Sequence, residues 1–153
     1  MSGRSVAVLW VAGSSALLCG VIGSAALPKL NKARMYAQEA AALKALQALN
    51  TAQVEYNSQF GRFAQSLSEL GPRVSNLIST DLAGGEKQGY KFTLAATPQG
   101  YSIQAVPVAF GSTGSRTFYT DQSLLLRENY GPEPATVNNE EVRSAAKSSQ
   151  GAP

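Results

Sequence analysis

The 153 residues make one compact domain together with whatever anchor or tail it carries, and they exclude a second globular domain. Lys and Arg number 13 and Asp and Glu 10, for a net charge of +3. The charged fraction, 15%, falls well below the roughly 25% of a typical soluble domain, which fits a chain that is partly outside water. No histidine is present, so Ser-His-Asp and Cys-His catalysis are excluded and the commonest metal ligand is missing.

From Ser5 to Leu27 the chain runs 23 residues without a charge, with Arg4 before it and Lys29, Lys32 and Arg34 after it. At 1.5 Å per residue this run reaches about 35 Å, enough to cross a hydrocarbon core of about 30 Å with some tilt. A cleaved secretory signal is the alternative, with Arg4 as its basic start and Gly23, Ser24, Ala25 and Ala26 as its small-residue end. Against cleavage, the apolar run exceeds the usual 7 to 15 residues of a signal, and helix-forming residues continue beyond Ala26. Ala12, Ala16, Gly20 and Ser24 recur every four residues and make a ridge of small side chains on which a second helix can pack closely. Cys19 is the single cysteine, so no intramolecular disulfide forms, and Leu17 and Leu18 before it do not fit a lipoprotein signal.

After Pro28, residues Leu30 to Phe60 are free of Gly and Pro and rich in Ala, Leu, Gln, Lys and Glu, which predicts one long helix ended by Gly61. Met35, Ala42, Leu49, Tyr56 and Phe63 lie seven apart, with Leu46 and Phe60 alongside, and mark an apolar stripe. The small-sided stretch Ala37 to Ala45 suits contact with neighbouring helices. Ser66 to Pro72 reads as a short helical turn, and Gly84, Gly85 and Gly89 punctuate the segment leading to the first strand.

The period then changes to two. Tyr90, Phe92 and Leu94 alternate with polar or small residues, TPQG turns the chain, and Tyr101, Ile103 and Ala105 alternate again. RTFYT and LLLREN make a second hairpin turning at Asp121 and Gln122. The link between the hairpins, Gly111 to Ser115, lacks the Gly-Lys-Ser/Thr of a phosphate loop and reads as a flexible connection. Asp121 alone is too few carboxylates for calcium. Beyond Gly131 two valines are all there is to bury, which predicts a flexible tail.

The order of elements resembles the type IV pilins and the type II secretion pseudopilins of bacteria. LPKLNKARMYAQEAAALKALQALNTAQVEY is similar to the helix that follows the membrane segment in that family, with Pro28 at the position of its helix-kinking proline. GYKFTL, GYSIQAVPV, GSTGSRTFYTDQSLLLR and ENYGPEPAT resemble the sheet of a pilin-like subgroup, and the similarity spans about residues 20 to 136. The chain departs from the family at its start. Aligned on Gly20 and Pro28, the prepilin cleavage point falls at Val6 and Ala7 and the assembly glutamate on Val11, and no acidic residue precedes Glu39.

The expected architecture is therefore α+β and pilin-like, a long N-terminal helix packed on a small antiparallel four-stranded sheet. Residues 1–27 would form the transmembrane or assembly helix, 28–60 its amphipathic continuation, 61–130 the sheet domain and 131–153 the tail. Leu46, Leu49, Tyr56, Phe60, Phe92, Ile103 and Phe118 are the expected core, and Ala12, Ala16, Gly20, Ser24 and Pro28 the expected packing positions. The resemblance implies a non-catalytic subunit, without cofactor or metal, held in the bacterial inner membrane by a single pass. Its C-terminal domain would be extracytoplasmic, or carried in an extracellular filament. Like subunits or other pilin-like proteins, met through the N-terminal helix, and membrane lipid would be its partners. No nucleic acid is expected, because the basic residues behind the pI of 9.1 are scattered singly. An exported soluble binding module, released near Ala26, is the alternative.

Overall fold

In the computed structural model, residues 27–97 and 99–143 are described. The helix α1, Leu27–Phe60, leads into two single-turn helices, α2 (Leu67–Leu70) and α3 (Thr80–Ala83). Six strands come next: β1 Glu86–Lys87, β2 Tyr90–Thr97, β3 Gly100–Pro107, β4 Thr117–Asp121, β5 Arg127–Asn129 and β6 Glu140–Glu141. They form one antiparallel sheet in chain order. The architecture is α+β with the long helix ahead of the sheet, and the sheet has six strands where four were expected. The two added strands, β1 and β6, hold two residues each, too few for an alternating pattern.

Side chains of α1 at helical spacing meet alternate side chains of the strands across a single core. Leu46 and Leu49 on the helix and Ile103 and Phe118 on the sheet are fully buried, and Tyr56 and Phe92 nearly so. The register stacks Phe92, Ala105 and Phe118 in one row, and Leu94, Ile103 and Thr120 in the next. Polar groups in this interface are paired. The Asn50 amide donates to Thr120 Oγ1 (2.8 Å), Tyr101 donates to Asn50 Oδ1 (3.2 Å), and Gln53 exchanges two bonds with the backbone of Ala64.

Besides the strand count, four expectations about these elements are corrected. Phe60 is 50% exposed, against the ring of Tyr56. Gly61, at φ +70°, turns the chain back there, so Phe63 and not Phe60 reaches the sheet, its ring tilted against Tyr101 with centroids 5.0 Å apart. The stretch Ala37–Ala45, read as a face for other helices, lays Glu39, Ala42 and Ala45 on its own domain. In the second hairpin only Arg127–Asn129 of LLLREN is strand, while Leu124 and Leu125 lie exposed in the turn.

The fourth correction is the tail. Residues 131–143 fold back along the sheet: Ala135 is fully buried, and β6 pairs with β5. Hydrogen bonds hold this segment, which explains why a count of apolar residues does not detect it. Thr117 Oγ1 and Asn129 Nδ2 donate to the Glu133 carbonyl, Gln104 Nε2 to the Ala135 carbonyl, and Arg127 Nη1 to the Asn139 carbonyl.

Candidate functional site

The densest polar constellation fastens α1 to the sheet. Glu39, fully buried, occupies an otherwise small-sided turn of α1, where neighbouring alanines leave room for backbone to approach. Its Oε1 accepts from the Ser115 N–H (2.7 Å) and Ser115 Oγ (2.8 Å), and its Oε2 accepts from Arg116 Nε (2.9 Å) and Nη2 (2.7 Å). Arg116 turns its remaining nitrogen, Nη1, to Glu128 on β5 at 2.6 Å. One guanidinium thus joins the helix to the strand region through two carboxylates, the forked geometry that favours Arg over Lys. The Tyr130 ring lies 5.7 Å from the Arg116 Cζ, and the Tyr130 hydroxyl donates to Glu128 Oε1 at 3.3 Å.

Burial pushes the Glu39 carboxyl upward, but the Ser115 and Arg116 hydrogen bonds together outweigh it and hold the group below the ordinary carboxylate range. Glu39 is therefore ionised at neutral pH. Burial also works against the charge on Arg116, and its two carboxylate partners overcome it and raise its pKa. Tyr90, whose hydroxyl donates to the Arg116 carbonyl at 2.9 Å, is raised by burial and then by the charge of Glu39. Gly114 makes this approach possible: a Cβ there would land on the Tyr90 hydroxyl and within 2.6 Å of its Cζ.

No known protein family, characterised protein or solved structure matches the chain. The arrangement itself therefore carries the functional reading. Both carboxylate oxygens of Glu39, both of Glu128 and all three nitrogens of the Arg116 guanidinium are held by protein partners. That makes the constellation a clasp, with no free nucleophile or base turned to a substrate.

Beside the clasp, Asn31, Lys32, Arg34, Met35 and Gln38 of α1 and Gly111, Ser112 and Thr113 line an open cleft of about 450 Å³. Gln38 Oε1 is buried there without a hydrogen-bond partner among the described residues. The loop read as a flexible connection is instead pinned on both sides, by Ser112 and Thr113 N–H groups to the Ala109 carbonyl and by Ser115 to Glu39. Asp121 already accepts from the Ser123 N–H (2.8 Å) and from the Ser123 and Tyr119 hydroxyls. Among the described residues no three His, Cys, Asp or Glu side chains gather as metal ligands.

Ala12, Ala16, Gly20 and Ser24 lie outside the described residues, and Pro28 lies within α1 at the end adjoining them. Among the described residues no helix is long and apolar enough to cross a membrane. The apolar run expected to do so, Ser5–Leu27, is outside them but for its last residue. Sequence reasoning missed the clasp, although a signal was there. Glu39 is the first acidic residue of the chain, and Arg116 is the single charge between Lys91 and Asp121. Isolated opposite charges in neutral surroundings are candidates for one buried pair.

Proposed function

We propose that this chain is a non-catalytic structural subunit of pilin-like or pseudopilin-like type, anchored by its N-terminal segment and packing through that helix into a type IV pilus or type II secretion assembly. The observation that carries this reading is the course of α1. Lys29 through Arg34 are exposed on every side, whereas the same helix buries one face against its domain from Glu39 to Tyr56. The first turns of the helix therefore border their own domain only across the open cleft at Gly111–Thr113, and they follow the uncharged run Ser5–Leu27 in the chain. The cations Lys29, Lys32 and Arg34 suit the membrane–water boundary and leave the uncharged run before them to pack in lipid or among the helices of like subunits.

The clasp supports the same reading. A domain carried on a helix must move with it, and Glu39, Arg116 and Glu128 tie the two together close to where the helix leaves the sheet. The anchor would cross the bacterial inner membrane once, with the sheet domain extracytoplasmic. Carbonate washing of membranes from cells producing the full chain tests this function. The protein is expected in the pellet with integral proteins, and its release into the supernatant would favour the exported module instead.

A further inference from the structure

We propose that the outer edge of β2, Thr93–Thr97, is a self-pairing surface that joins two copies of this chain through one continuous antiparallel sheet. The proposal goes beyond the anchor function and rests on it, because the anchor is what holds the copies at high local concentration in one membrane. β1 covers β2 only at Tyr90 and Lys91. The Phe92 N–H donates outward to the Gly85 carbonyl at 2.7 Å, so even-numbered residues of β2 turn their backbone groups away from β3. Past Phe92, the outward N–H and C=O groups of Leu94 and Ala96 meet no partner among the described residues. An edge of this kind is normally blunted by charge, proline or a bulge. β6, on the opposite side, carries Glu140 and Glu141. Thr93–Thr97 carries none of these devices: it reads Thr-Leu-Ala-Ala-Thr, and Thr93, Ala95, Ala96 and Thr97 are exposed.

The occupant this edge fits is itself. Antiparallel pairing about a two-fold axis at Ala95 sets Thr93 opposite Thr97 of the second copy, and Leu94 opposite Ala96. Threonine pairs across strands are favourable, and no like charges are brought together. Leu94 and Ala96 become hydrogen-bonded partners, each exchanging its N–H and C=O with the other copy. Pro98, next in the chain, has no N–H with which to extend the ladder. Gln65 and residues Leu94 to Thr97 line an open groove along this edge, which leaves room for the second strand. So short a ladder is weak between free molecules and is populated when copies are held at high local concentration.

Ala95 would face its own copy as a non-hydrogen-bonded pair with Cα atoms about 4.5 Å apart, within disulfide range. The test is oxidation of membranes containing full-length Cys19→Ser chains that carry Ala95→Cys, Ser123→Cys or Val137→Cys. Disulfide-linked dimer from Ala95→Cys should exceed that from the other two by about tenfold, and adding Ala96→Pro, which removes an outward donor, should bring it down to their level. Equal yields at the three positions would overturn the proposal, as would a dimer indifferent to Ala96→Pro. Cross-linking of Ala95→Cys to a different protein would overturn the second copy as the occupant. Ala95 and Ala96 are exposed, and unchanged melting temperatures would exclude misfolding as the cause of a lost dimer.

Discussion

Glu39 decides how the helix meets the sheet. A carboxylate at 0% exposure is costly to desolvate, and removing one partner of a buried pair typically costs 3 to 5 kcal/mol because the other charge is left behind. Glu39→Gln keeps the shape and strips the charge, and Arg116 retains Glu128, so a loss of about 3 kcal/mol at pH 7 is expected by thermal or denaturant unfolding. The pH dependence comes from the lowered pKa. A carboxyl held below its unfolded value of 4.5 contributes stability that is full above that value and is lost as the pH falls toward the folded one. The wild-type chain should therefore lose stability below about pH 4.5 more steeply than Glu39→Gln. The variant keeps a shallower acid limb, because Glu69 is also held low by Tyr56 and Arg62. Parallel acid limbs for the two proteins would show that Glu39 is not the ionised group of the clasp. Gly114→Ala tests the same site sterically: its methyl group meets the Tyr90 ring, and overpacking of this kind costs about 1 to 3 kcal/mol. Tyr90→Phe removes the hydroxyl the methyl would strike, so the combination should be less destabilised than the sum of the two single variants.

Packing of α1 on the sheet is an element-scale property, and Leu49 is its most direct probe. Leu49→Ala should cost about 2 to 5 kcal/mol, whereas Val137→Ala, at a position 52% exposed, should stay within about 0.5. The segment after β5 can be tested by trypsin. Cleavage after exposed Arg143 should precede cleavage after Arg127, whose guanidinium is engaged with the Asn139 carbonyl. Early cutting at Arg127 would mean that residues 131–143 do not hold to the sheet. These elements differ in how far they could be read in advance. The long helix stands out because Leu30 to Phe60 is free of Gly and Pro and rich in helix formers, and the hairpin of β2 and β3 because its residues alternate over many positions. The packing face of α1 is partly hidden because Glu39, Asn50 and Gln53 lie on it, and a search for apolar positions passes over them. β1, β6 and the returning segment are held by backbone pairing and by side chains such as Thr117 and Gln104, which leave no hydrophobic pattern.

At the scale of the whole molecule, the domain is a sheet carried on one helix whose near end is free of it. Within this chain the rows of Phe92, Ala105 and Phe118 and the clasp fix the sheet to the helix, so displacement of an anchor ahead of α1 would be transmitted to the domain without a hinge between Glu39 and Tyr56. Assembly through the anchor would rest on the small-residue ridge. Gly20→Leu should lower cross-linked oligomers in membranes while leaving insertion unchanged, since leucine is itself apolar. An unchanged oligomer yield would place assembly elsewhere on the chain. The proposed anchorage depends above all on residues 1–26 remaining part of the working protein. Intact mass of the chain recovered from washed membranes measures this directly. The expected mass is that of the 16.0 kDa chain with its uncharged run in place. A mass short by the residues up to Ala26 would contradict the anchor and make the sheet domain an exported module.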